Sequence, residues 1–188
     1  GDDESAERFL AQMRPSRLKP DVHAHNAVID SYSRCPGTSP KAGGRSDVLP
    51  RSRSARAGEL LEKMREAHLL PDVVSYNTVI NCCAKACDGD EAVQWLRRMT
   101  TANIEPTLRS FNSVIHAWAR SSSATKAEIW FDRISDAALA PNVVSYNAVV
   151  DACAKSGDVA QAWRWFGRMI EASIPPQNIC YNTLVSVS

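Results

Sequence analysis

Apolar residues recur along this chain at helical spacing. Tyr76, Val79, Ile80 and Cys83 stand at i, i+3, i+4 and i+7, one stripe of an amphipathic helix over about residues 74–86. Asp88 and Gly89 interrupt the stripe, and Asp90 reads as the N-cap of a second helix. That helix carries Ala92, Leu96 and Met99 on one face and runs to about Thr101. Pro106 stops any continuation. Residues 71–106 therefore predict one helical hairpin. The small alanine in its second helix lets the two helices approach closely.

The hairpin repeats. Asn77, Asn112, Asn147 and Asn182 are successively 35 residues apart, and so are Pro71, Pro106, Pro141 and Pro176. Ala57, Ala92, Ala127 and Ala162 keep the same step, as do Met64, Met99, Ile134 and Met169. The residue before each asparagine is aromatic: Tyr76, Phe111, Tyr146, Tyr181. Pro20, Asn26 and Met13 precede Pro71, Asn77 and Met64 by 51 residues, one period plus 16, so the first full repeat holds an insertion. Ala6, Leu10 and Met13 match the second half of a still earlier repeat. Residues 1–188 thus parse as a single array: a half repeat over 3–21, a repeat with an insertion over 22–72, regular repeats over 73–107, 108–142 and 143–177, and a partial one over 178–188. Each hairpin buries its apolar face on its neighbours, so stability is a sum of local terms.

Composition changes this picture little. The 188 residues carry a formal charge of +1, which gives no electrostatic argument for nucleic acid. No apolar run approaches the roughly 18 residues of a membrane span. The chain begins at Gly1 and stops inside a repeat, which reads as a portion of something longer, with any targeting peptide out of view.

A period of 35 residues, a Val-Val-Ser-Tyr-Asn opening, a Lys or Arg near the end of the first helix, A-x-x-x-[LF]-x-x-M in the second and a closing proline resemble the pentatricopeptide repeat family. The resemblance covers about nine-tenths of the chain. The tetratricopeptide repeat, with its period of about 34 and W-x-x-L-G-x-x-Y signature, fits less well. What the resemblance implies is an all-α, right-handed α-solenoid of helix-turn-helix repeats that binds single-stranded RNA in a mitochondrion or chloroplast, without cofactor and without catalysis.

In this family each base is read by the early asparagine position together with the last residue of the repeat. Here those pairs are Asn26 with Asp72, Asn77 with Thr107, Asn112 with Asn142, and Asn147 with Gln177. An early Asn implies pyrimidines and Asn with Asp implies uracil, giving U, two pyrimidines and an unassigned base. The second residue of each repeat sandwiches the base, and Val74, Val144 and Ile179 have the expected aliphatic character, whereas His23 and Arg109 depart from it. Arg34, Lys85, Arg120 and Lys155 form a basic column where family members meet phosphates. An asparagine in this column can also serve only its neighbours, and a short, neutral solenoid can equally be a protein-binding scaffold in a large organellar complex such as a ribosome or membrane assembly.

Residues 35–54 hold three prolines, three glycines, several serines and four basic side chains (Lys41, Arg45, Arg51, Arg53) against the lone Asp47. This composition predicts a disordered loop, either merely solvated or a contact arm for RNA or an acidic protein surface. Cys83 and Cys87 stand at i, i+4, but no second Cys or His pair completes a zinc site. Cys83 shares its column with Trp118 and Cys153, which marks packing rather than metal or disulfide, and a reducing compartment follows. His25 replaces the column's aromatic residue, and His68 and His116 show no partner. No phosphate loop, carboxylate pair or nucleophile–base set is present.

Overall fold

In a computed structural model of the chain, residues 8, 12, 21–34 and 50–185 are described. Nine helices run through the last two segments: α1 (Val22–Arg34), α2 (Pro50–Glu66), α3 (Val73–Lys85), α4 (Gly89–Thr101), α5 (Leu108–Arg120), α6 (Ala124–Asp136), α7 (Val143–Lys155), α8 (Val159–Glu171) and α9 (Asn178–Val185). Most of the half repeat expected over 3–21 and most of the expected loop lie outside the described residues.

The helices pair as hairpins and stack. α1, α3, α5, α7 and α9 form a row of first helices, each packed on the next, while every second helix packs on its own first helix and on the following one. The second helices do not approach one another by backbone. The first helices are therefore the closely spaced, inner row of a curved solenoid. Its core is the set of repeating columns: Val79, Val114 and Val149, then Ala92, Ala127 and Ala162, then Met99, Ile134 and Met169 are all fully buried.

The chain ends each helix the same way. His68, Asn103, Ala138 and Ser173 close the second helices with positive φ, and Cys87, Ser122 and Gly157 close α3, α5 and α7. In each case the next amide bonds back to a carbonyl five residues earlier, as Asp88 does to Cys83 at 3.0 Å and Ile104 to Met99 at 3.1 Å. The apolar residues that follow the second helices, Leu69, Ile104, Leu139 and Ile174, fold onto the core.

Two boundaries differ from the sequence reading. The N-cap of α4 is Asp88, whose side chain accepts the Glu91 amide hydrogen at 3.0 Å, not Asp90. The left-handed residue is Cys87, so the turn closes earlier and Gly89 is already helical. A Cβ on Gly89 would lie 2.3 Å from the Trp118 ring, so this glycine is a packing requirement rather than a break. The second correction is to the expected loop over 35–54, whose end from Pro50 to Ser54 is helix. Ser54 occupies the column of Gly89, Ala124 and Val159, where the other second helices begin, and α2 starts one turn earlier with Pro50 at its first position. Ser54 is buried and donates a hydrogen bond to Glu91 at 2.7 Å.

Candidate nucleic-acid interface

Asp72, Thr107 and Asn142, the last residues of their repeats, are the N-caps of α3, α5 and α7. Asp72 accepts the Ser75 amide hydrogen at 2.8 Å, and Asn142 accepts those of Val144 and Ser145 at 3.0 and 3.2 Å. Ser75, Ser110 and Ser145 return the bond, accepting the cap residue's own amide at 3.2, 3.0 and 3.2 Å. This capping exchange holds the first turn of each helix against the preceding repeat.

There it meets the asparagine column. Asn26 donates from Nδ2 to Asp72 at 3.2 Å, and Asn77 from Nδ2 to Thr107 Oγ1 at 3.4 Å. The structure thus brings the first two implied pairs into contact. Asn112 and Asn142 line one cleft, bridged by Ser145, which donates to Asn112 Oδ1 at 2.7 Å. Asn147 Oδ1 instead takes the Cys180 thiol hydrogen, and Gln177 is exposed. The asparagines are not open side chains. Asn26, Asn77 and Asn112 are each only 7% exposed, because the following repeat covers them.

The positions beside them are open. Val74 is 56% exposed and Val144 46%, a large uncovered surface for aliphatic side chains. His23 and Arg109 are also exposed, and the Ile179 side chain lies outside the described part. Between α5 and α7 these positions enclose a cleft of about 370 Å³ lined by Leu108, Arg109, Asn112, His116, Asn142 and Val144, with Ser113. His116, without a partner in the sequence reading, sits here. Burial lowers its pKa, Lys155 and Arg120 add to that, and Asp151 opposes it, so the ring is neutral at pH 7.

The basic column is exposed but partly engaged. Lys85 donates to the Ser33 carbonyl at the end of α1 at 2.5 Å, and Lys155 pairs with Asp151 at 2.6 Å. Arg120 is exposed and has no ion pair among the described residues. The Arg34 side chain lies outside the described part.

The cysteines pack as the columns imply. Cys82, Cys83, Cys153 and Cys180 are buried and free, and burial pushes the Cys82 thiol up to about 12. Burial and the Glu128 carboxylate raise Cys153 likewise. Cys87 alone of the described cysteines is exposed. No cluster able to hold a metal ion occurs among the described residues, and no described helix is long and apolar enough to cross a membrane. His25 is buried with Nδ1 2.9 Å from the Asp21 carbonyl, filling the aromatic column.

Two columns escaped the sequence reading. One is Ser75, Ser110, Ser145 and Cys180. The other is Trp95, Trp130 and Trp165, with Arg98, Arg133 and Arg168 stacked over their rings at 4.5, 4.7 and 4.1 Å. Both keep the 35-residue period and were visible as letters.

A stack of helical hairpins with a polar column along its inner row defines an α-solenoid repeat protein. The family model of the pentacotripeptide-repeat region of PRORP matches residues 41–186, and the chain belongs to the pentatricopeptide repeat family. Among solved structures, the fold is similar to PPR10 from maize, seen in complex with an 18-nt psaJ RNA element, with a TM-score of 0.79 and 20% identity over 96% of this chain. The chain spans 24% of the PPR10 chain. It also resembles the PPR domain of Arabidopsis thaliana protein-only RNase P 1 in complex with tRNA, with a TM-score of 0.70 and 13% identity over 99% of this chain and 90% of that one. The nuclear RNase P 2 of the same plant matches at 0.71 and 15% identity over 99% of this chain and 38% of its own. A search of curated protein sequences finds no match.

Proposed function

We infer that the inner row of first helices binds single-stranded RNA, one base per repeat, with a preference for pyrimidines. The observation that carries this reading is the cleft between α5 and α7, which gathers Arg109, Asn112, Asn142 and Val144 around one space of about 370 Å³. A base lying there has Val144 on one face and Arg109 on the other, and its edge meets the two carboxamides. A guanidinium plane stacks on a base as an aliphatic side chain does and adds cation–π attraction, so the departure at Arg109 keeps the clamp. Arg120 and Lys155 stand further along the same helices, within reach of the strand's phosphates. Both structural neighbours that were captured with RNA share this architecture, which supports the reading. We place the protein in RNA processing, stability or translation in an organelle, with the RNA contacts made by these repeats and the chemistry, where any is needed, supplied elsewhere.

Stacking of about 1–3 kcal/mol per base over the complete repeats, less the ordering cost of the strand, gives modest affinity. The test is titration of the protein with short pyrimidine and purine oligoribonucleotides at several salt concentrations, beside an Asn77→Ala/Asn112→Ala variant. Pyrimidine-preferring binding that weakens with salt, and about tenfold in the variant, is expected. Binding indifferent to base and variant, or none at low salt, overturns the reading and favours a protein scaffold instead, to be pursued by cross-linking to protein neighbours.

A further inference from the structure

Two of the inner asparagines are held by a serine one repeat ahead: Asn77 by Ser110 and Asn112 by Ser145. Asn Oδ1 and Nδ2 are nearly isosteric, and their roles are set by hydrogen bonding alone. Ser110 accepts the Thr107 amide hydrogen at 3.0 Å and lies 3.2 Å from the Thr107 hydroxyl, so its own hydrogen is left to donate. It donates to Asn77 Oδ1 at 2.6 Å. The Thr107 hydroxyl then donates to Ser110 and accepts from Asn77 Nδ2, which closes a ring of hydrogen bonds with the amide in one orientation. Ser145 accepts the Asn142 amide at 3.2 Å and donates to Asn112 Oδ1 at 2.7 Å. Asn142 Oδ1 cannot compete well for that hydrogen, because the amides of Val144 and Ser145 already occupy it. In both repeats the serine hydroxyl holds Oδ1, while Asn77 Nδ2 lies against Thr107 and Asn112 lines the cleft.

The first interface is built differently. Ser75 gives its hydroxyl hydrogen to Asp72 at 2.9 Å, and Asn26 Oδ1 is buried without a hydrogen-bond partner among the described residues. There the carboxylate alone orients the amide, by accepting Nδ2 at 3.2 Å.

We propose that Ser110 and Ser145 are specificity-positioning residues, a third member of each base-reading set: they lock Asn77 and Asn112 with Nδ2 facing the RNA, so that these repeats present donors and select bases that offer acceptors. Ser75 has no such role, because Asp72 performs it. The proposal rests on the RNA reading above. Without the hydroxyl the carboxamide turns freely and accepts from base amino and imino groups as readily as it donates, which flattens selectivity while leaving the stacking surfaces in place.

The experiment compares the protein with Ser110→Ala/Ser145→Ala and with Ser75→Ala, measuring Kd for uridine, cytidine, adenosine and guanosine oligoribonucleotides. Ser110→Cys/Ser145→Cys places in both sites the side chain that the chain itself carries at Cys180, and it keeps a weaker donor should the alanine variant fold poorly. Circular dichroism and melting check folding in each. The spread of Kd among the four sequences is expected to fall about fivefold per altered repeat in the alanine variant and less in the cysteine variant, and to hold in Ser75→Ala. Unchanged spread in a folded Ser110→Ala/Ser145→Ala variant that still binds RNA, loss in the cysteine variant as large as in the alanine variant, or equal loss in Ser75→Ala, overturns the lock while leaving the RNA reading intact. Absence of binding by the parent protein to every sequence overturns both.

Discussion

The first and last complete interfaces of the solenoid use the same apolar columns and different polar ones. Where residues 22–72 meet 73–107, the side chain at the capping position is Asp72, and it gathers Asn26 Nδ2 together with the Ser75 amide and hydroxyl on one oxygen. Where residues 108–142 meet 143–177, the cap is Asn142 and the serine turns to Asn112 instead. On the outer side the contrast is larger. Gly58 lies under Trp95 at the first interface, whereas at the last one Glu128 takes hydrogens from Trp165 Nε1 at 2.6 Å, Gln161 Nε2 at 2.8 Å and the Cys153 thiol at 3.7 Å. Alanine, branched aliphatic and methionine positions set how hairpins stack. The polar positions then individualise each joint, through the Glu128 hydrogen bonds outside and the partners of the asparagine carboxamides inside.

That contrast breaks most sharply at Glu128. Glu128→Ala strands the Trp165 indole and the Gln161 amide that the carboxylate satisfies, at a cost of about 2–3 kcal/mol. The column holds Val93 one repeat earlier, where no such bond exists, so Val93→Ala is expected to cost only the lost packing of a half-buried side chain, about 1 kcal/mol. Urea unfolding followed by circular dichroism distinguishes the two. In an array with local coupling, Glu128→Ala should also broaden the transition by releasing residues 143–185 first. Equal midpoints for the two variants would mean that the last interface is held by its apolar columns alone.

Much of this architecture was legible because it is written several times. The alanine, valine and methionine columns appear at a fixed step, and any one of them predicts the stacking. The early asparagines and the closing residues of the repeats were named as pairs only through the family resemblance. Nothing in a spacing of 30 residues from Asn77 to Thr107 shows that the N-cap of one first helix lies against the first turn of the preceding first helix. The serine column was in plain view within each Val-Val-Ser-Tyr-Asn opening, but its role depends on that cross-repeat contact. Pro50 to Ser54 were misread because proline, arginine and serine look like loop when no apolar stripe accompanies them. Asp88 was misread because a non-glycine residue, Cys87, takes the left-handed turn.

The left-handed positions sharpen the comparison at smaller scale. In the last full repeat the turn after α7 holds Gly157, with φ of 81°, while the turn after α3 holds Cys87, with φ of 59°. A side chain in this conformation costs about 1–2 kcal/mol, part of which glycine gives back as unfolded-state entropy. Cys87→Gly is therefore expected to stabilise by about 0.5–1 kcal/mol, read as a higher urea midpoint with unchanged slope. Cys87 is exposed, so no packing is lost. A fall in the midpoint would show that the exposed thiol makes a contact worth more than the backbone strain.

The smallest effect lies at the capping carboxylate. Burial pushes the Asp72 carboxyl up, but hydrogen bonds from the Ser75 amide and hydroxyl, the Asn26 amide and the Val74 amide outweigh it and hold the pKa below the usual value. A group whose folded pKa is depressed contributes stability above its unfolded pKa and loses it as pH falls through the folded value. Acidification below the ordinary aspartate value of about 3.9 should accordingly loosen the first interface, and the last one, capped by neutral Asn142, should be unaffected by this route. Asp72→Asn makes the two caps alike. The variant is expected to shed this part of the acid sensitivity while still capping α3, since asparagine caps about as well as aspartate. Hydrogen exchange of the α3 amides as a function of pH is the measurement. If the variant and parent protein open α3 in parallel as the pH drops, the carboxylate is not what titrates, and the two interfaces differ in geometry without differing in their response to acid.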